Sequence, residues 1–80
     1  MPKAKSLIDN ASYNADTVKA LGAAFDACWS DVAHHYQGDT AIEGARIMLA
    51  NCVLNIAAQG ERDPIRLKAG ALRTFLLTNP

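Results

Sequence analysis

The sequence predicts an all-α fold: a three-helix up-down bundle with short loops, a flexible N-terminal arm and a tendency to pair. Three observations carry this. Apolar residues recur at steps of three and four in three successive stretches, which gathers them on one side of a helix turning about 100° per residue. Capping residues or Gly stand at the ends of those stretches. The connections are about three residues long, and such loops make consecutive helices antiparallel neighbours. Eighty residues amount to one domain, divided here into an arm over 1–12 and one helical domain over 13–80, with helices near 16–36, 41–59 and 64–77.

The arm lacks a periodic pattern and offers Leu7 and Ile8 as docking residues. The first predicted helix is capped by Asn14 or Asp16. Its stripe is Val18, Leu21, Phe25, Cys28, Trp29, Val32 and Tyr36, and Gly38 stops it. The second has Thr40 and Glu43 at capping-box spacing and ends before Gly60. It is apolar on two sides. Ile42, Ala45, Leu49, Cys52, Val53 and Ile56 form the main stripe; Gly44, Ile47, Asn51, Leu54 and Ala58 form a second with heptad-like spacing. The third opens on Asp63-Pro64, a capping acid followed by Pro at the first helical position. Ile65, Ala69, Leu72 and Leu76 are its expected core face, and Leu67, Ala71 and Phe75 a spare apolar group. Gly70 costs about 1 kcal/mol against Ala inside a helix, which marks a close approach.

Composition excludes several classes. Half the residues are hydrophobic and the formal net charge is zero, which argues against disorder and against a strongly electrostatic nucleic-acid binder. The longest apolar run, Ile47-Met48-Leu49-Ala50, is far below the ~18 residues of a membrane span. Leu7-Ile8 is too short for the core of a secretory signal, so the expected address is the cytoplasm. Cys28 and Cys52 form neither a CxxC pair nor a disulfide framework and read as small buried hydrophobes.

The second stripe of the middle helix is the candidate dimer interface: Gly44, Ile47, Asn51, Leu54 and Ala58, with Asn51 able to fix register by pairing with its mate. The alternative is that residues 1–12 cover this stripe within one chain. Cys28, Asp31 and His35 are the one chemical cluster. Cys28 and His35 stand seven residues apart, about 10 Å along a helix, too far to share an ion; Asp31 and His35 read as a surface charge pair. Arg46 is expected to reach Asp26 or Asp31. Arg62, Arg66, Lys68 and Arg73 around Gly60 invite a helix-turn-helix reading. A turn Gly at the ninth position of that unit, however, would put Asn55, Gln59, Glu61 and Arg66 where small or apolar residues belong. Charge is mildly divided, with five cations and three anions over residues 41–80 (+2) and three against five over 1–40 (−2).

The residues Ala24-Phe25-Asp26-Ala27-Cys28-Trp29, Ala45-Arg46, Leu49-Ala50, Gly60-Glu61-Arg62-Asp63-Pro64, Leu67 and Ala71-Leu72 resemble short uncharacterised all-helical hypothetical proteins of alphaproteobacteria. The resemblance implies a bacterial, cytoplasmic, helical protein and carries over no activity, cofactor or site residue. The expected function is a non-enzymatic helical interaction or regulatory module acting as a homodimer, with an unidentified protein partner also conceivable. No catalytic residue, cofactor, metal or membrane partner is expected. A weak DNA-binding regulator using the 63–77 helix and a metal or redox protein are the alternatives.

Overall fold

The computed structural model describes residues 3–78, the side chains of Lys3 and Lys5 excepted, and is all-helical over that range. It holds four α-helices rather than three: α1 (Lys3–Asp9), α2 (Ala15–Val32), α3 (Asp39–Ala58) and α4 (Pro64–Thr78), with a 3-10 turn at Ala33–His35.

The segment expected to be a loose arm is therefore helical. Ala4 and Ile8 lie on one side of α1 at an i, i+4 spacing and both are buried, while Leu7 faces outward. A helix of seven residues is marginal in isolation. Docking of Ile8 against α3 and α2 supplies the missing stability, on the order of 1.5–3 kcal/mol for a fully buried aliphatic side chain.

Asn14 caps α2 as expected, its Oδ1 accepting the Thr17 N–H at 2.8 Å. The helix runs 15–32, four residues shorter at its end than predicted. The chain tightens into the 3-10 turn and then leaves it extended at Tyr36 (φ −121°, ψ 139°). Tyr36 still joins the core, stacked on Trp29 at 6.0 Å between ring centroids and edge-on to Phe75 at 6.2 Å. Ring packing, not helical register, keeps it on the apolar stripe.

The expected capping box does not form the start of α3. The helix begins at Asp39, behind Gly38 at φ 88°, with no side-chain cap. Thr40 thus lies inside the first turn, two positions past the capping residue. The left-handed conformation at Gly38, open to Gly and strained for other residues, sets the start instead. At the far end Gly60 (φ 104°) closes the helix, its N–H donating to Ala57 O at 2.9 Å. The main stripe of α3 is sheltered as predicted: Ala45, Leu49, Cys52 and Val53 are buried, Ile42 and Ile56 half-buried. Ala50 and Ala57 are buried as well, so α3 is enclosed over most of its girth by α1, α2 and α4. By length and composition α3 could also cross a membrane, although its longest apolar run is short; a central bundle helix meets the same description.

For α4 the expected start holds. Asp63 Oδ1 accepts the Ile65 N–H at 3.0 Å, with Pro64 first in the helix. Its faces are reversed. Leu67, Ala71 and Phe75 are the buried residues, whereas Ile65, Ala69 and Leu76 are exposed and Leu72 is half-buried. Gly70 supplies the physical reason. A Cβ built there would stand 3.2–3.3 Å from three side-chain carbons of Ile56, so this side of α4 is the one pressed onto α3. Leu67 and Thr74 flank Gly70 at helical spacing and are carried inward with it.

Candidate interaction surface

The chemical cluster suggested by spacing does not assemble. Cys28 is fully buried and its Sγ donates to Lys68 O at 3.3 Å, across the α2–α4 junction. Burial pushes the thiol up to about 11, against a weaker opposing pull from the Lys68 ammonium. Burial also pushes Cys52 up. Neither is a ready thiolate near neutral pH. Asp31 pairs with Lys68 (Oδ2–Nζ 3.0 Å) rather than with His35, because α2 ends at Val32 and His35 no longer follows the α-helical register. That same turn brings the His34 and His35 rings within 4.0 Å, which a continuing α-helix would have kept apart. Among the described residues no three His, Cys, Asp or Glu side chains gather where they could hold a metal ion.

The cations are mostly committed to structure. The Arg46 guanidinium lies over the rings of Phe25 (4.9 Å) and Trp29 (5.4 Å). Such contacts contribute roughly 0.5–2 kcal/mol according to their exposure, and the aliphatic stem is buried beneath a wet head. Arg62 donates from Nη1 to Ala57 O (2.6 Å) and to Glu61 O (2.8 Å), and covers the Tyr13 ring at 4.9 Å. It thus serves a carbonyl of the last turn of α3, one of those left without an intrahelical partner. Of the four cations around the α3–α4 turn, Arg62 and Lys68 are engaged in these ways. Arg66 and Arg73 stand exposed on α4.

The five residues expected at a dimer seam are placed unevenly. Gly44, Asn51 and Ala58 are exposed; Ile47 and Leu54 are half-buried, Leu54 against the core. Apart from Met48, which is 38% exposed, the outward strip of α3, Asn55 included, is small or polar. The exposed apolar bulk lies on α4. Ile65 retains 77% of its accessible surface, Leu76 51% and Leu77 75%. With Ala69 and half-buried Leu72, Ile65 and Leu76 make a continuous stripe at i, i+4, i+7 and i+11, the spacing of a helix-packing seam.

Comparison with protein-family models, characterised proteins and solved structures finds no match for this chain.

What the described residues bring together is an exposed apolar stripe on α4. The sequence pointed to surplus apolar flank and to α3 as its bearer. The structure puts the larger part of that surplus on α4. The signal that would have found it is Gly70, whose close approach to a neighbour identifies the inward side of its helix.

Proposed function

We propose that this chain is a small non-enzymatic helical interaction module that works as a homodimer. One observation carries the reading: exposed Ile65, Ala69 and Leu76, in line with half-buried Leu72, on a helix whose opposite side already fills the core. An Ile and a Leu left in water at helix-packing spacing cost about 1.5–3 kcal/mol each relative to burial, which a partner surface recovers. Light scattering on the full chain tests the reading; twice the 8.6 kDa chain mass is the expected result. A monomer at ~100 μM, beyond the micromolar affinity of a weak specific pair, would sink it.

A second reading rests on the same helix. Arg66 and Arg73 are exposed and α4 contains no acidic residue, the local charge that a duplex-binding helix needs. With so few free cations any such binding is weak and steeply salt-dependent. Binding to duplex DNA that is absent at low salt, or insensitive to salt, removes it.

A further inference from the structure

We infer that α1 is a detachable strap. It swings about Asn10–Ser12 while α2, α3 and α4 stay folded, and its departure opens an apolar trough on α3. This goes beyond the pairing of two copies, and its test reads the same in a monomer and a dimer. Three observations lead to it.

The first is how α1 is held. Its described hold on the bundle is apolar, through Ala4 at 1% and Ile8 at 0% exposure, one turn apart. Seven residues are too few for a helix to persist alone, so α1 is helical only while docked. Apart from Ile8, the largest fully buried side chains include Leu21, Phe25, Leu49, Val53, Leu67 and Phe75, which come from the other three helices and pack in one cluster. Loss of α1 therefore removes an edge of the core and leaves its centre. A segment held by few buried contacts opens at lower free energy than the core it rests on.

The second is where the motion stops. Tyr13 packs against the core with the Arg62 guanidinium over its ring at 4.9 Å, and Asn14 accepts the Thr17 N–H as the cap of α2. The fixed body begins there. Between it and α1 the backbone bonds are local: Asn10 N–H donates to Ser6 O, Ala11 N–H to Ile8 O and Tyr13 N–H to Ala11 O. Exposed Asn10 and Ser12, on either side of half-buried Ala11, form the hinge.

The third is what lies beneath. Helix α1 packs chiefly on α3 and secondarily on α2. Ile56 turns toward α4, where it meets Gly70. Ala50, Leu54 and Ala57 stand about 100–160° round α3 from Ile56, away from α4. Ala50 and Ala57 are fully buried and Leu54 half-buried. Small residues beside a larger one make a shallow trough, a relief that suits a helix offering a small residue and an Ile one turn apart, as α1 does. The occupant is thus α1 itself. While it is docked, a second helix of that pattern is shut out; once it leaves, such a helix meets the same surface.

The test begins with native-state amide exchange on the full chain. The amides of Leu7 to Asn10 should exchange about tenfold or more faster than those of Leu49 to Val53. Ile8→Glu should undock α1, with far-UV circular dichroism and a cooperative urea transition showing α2–α4 still folded. The probe is then a peptide of residues 1–12. A three-residue hinge gives tethered α1 an effective concentration in the millimolar range, so peptide at ~1 mM should shift the amide resonances of Ala50, Leu54 and Ala57 in the Ile8→Glu chain. It should bind wild type about tenfold or more weakly, and a peptide carrying Ile8→Glu should move nothing. Where Ile8→Glu does not fold, Ile8→Ala takes its place in the same titration. Exchange of the α1 and core amides at one rate would make the four helices a single unit and overturn the proposal. Equal binding of the peptide to wild type and variant, or none to the variant, would overturn it as well.

Discussion

Gly70→Ala is the substitution whose sign the packing decides. In an exposed helix interior it would stabilise by about 1 kcal/mol, the difference in helix propensity. Here the added methyl stands 3.2 Å from Ile56 Cδ1 and 3.3 Å from both Cγ1 and Cγ2, tighter than carbon atoms pack in well-formed cores. Overpacking of this order costs roughly 1–3 kcal/mol. Ile56 is only half-buried and relieves part of it, so the net effect is a loss of about 1 kcal/mol. For a chain of this size that is a fall of about 4–8 °C in Tm. Ile56→Ala removes all three opposing carbons and itself costs about 2–4 kcal/mol. In that background Gly70→Ala meets no obstacle, fills part of the void and should stabilise by about 1 kcal/mol. The coupling across the cycle is then about 2 kcal/mol. Urea unfolding of the four variants, at one protein concentration, measures it. Gly70→Ala stabilising by the same amount in both backgrounds would show that α4 is not held against Ile56, and the account of which side of α4 faces outward would go with it.

Three further measurements bear on the fold. Leu67→Ala should cost about 2–5 kcal/mol and Ile65→Ala less than about 1; the reverse order in urea unfolding would restore the core face that the sequence suggested. Ile8→Ala should cost about 2–4 kcal/mol and weaken α1 in amide exchange, whereas an unchanged midpoint would return residues 3–9 to a loose arm. The raised Cys28 thiol binds its proton more tightly folded than unfolded. Its contribution is therefore complete below pH 9 and lost as pH climbs toward about 11. The loss is on the order of 1–2 kcal/mol after allowing for solvent screening, and Cys28→Ser should flatten stability over that window.

The periodic stripe of α2 was legible because that helix has one dominant apolar side, and the main stripe of α3 because it holds most of that helix's large apolar residues, a period of 3.6 fixing which residues share a face. The helix α4 was not, since its two apolar groups are of similar size and composition. Leu67, Ala71 and Phe75 differ from Ile65, Ala69, Leu72 and Leu76 mainly in what surrounds them, and only Gly70 distinguishes the sides. The starts at Asn14 and Asp63 depend on bonds within three residues and could be read directly. Thr40 and Glu43 have the right spacing for a cap, yet the positive φ of Gly38 begins the helix earlier. A few buried side chains decide α1, whose helical state comes from contacts distant in sequence. The expected Asp31–His35 charge pair does not form, and Cys28 and Asp31 both turn to α4 instead. Their actual partners, Lys68 above all, lie some forty residues away and leave no local trace.

Arg62 occupies the α3–α4 corner and is exposed, the kind of site where trypsin would first be expected to cut. Its guanidinium is nonetheless tied to the Ala57 and Glu61 carbonyls and laid over Tyr13. A protease must pull that side chain into its specificity pocket, undoing the end of α3 and the link to the segment before α2 together. Limited digestion should accordingly spare this corner until the whole bundle comes apart, and Tyr13→Ala, far away in sequence, should make Arg62 the earliest nick.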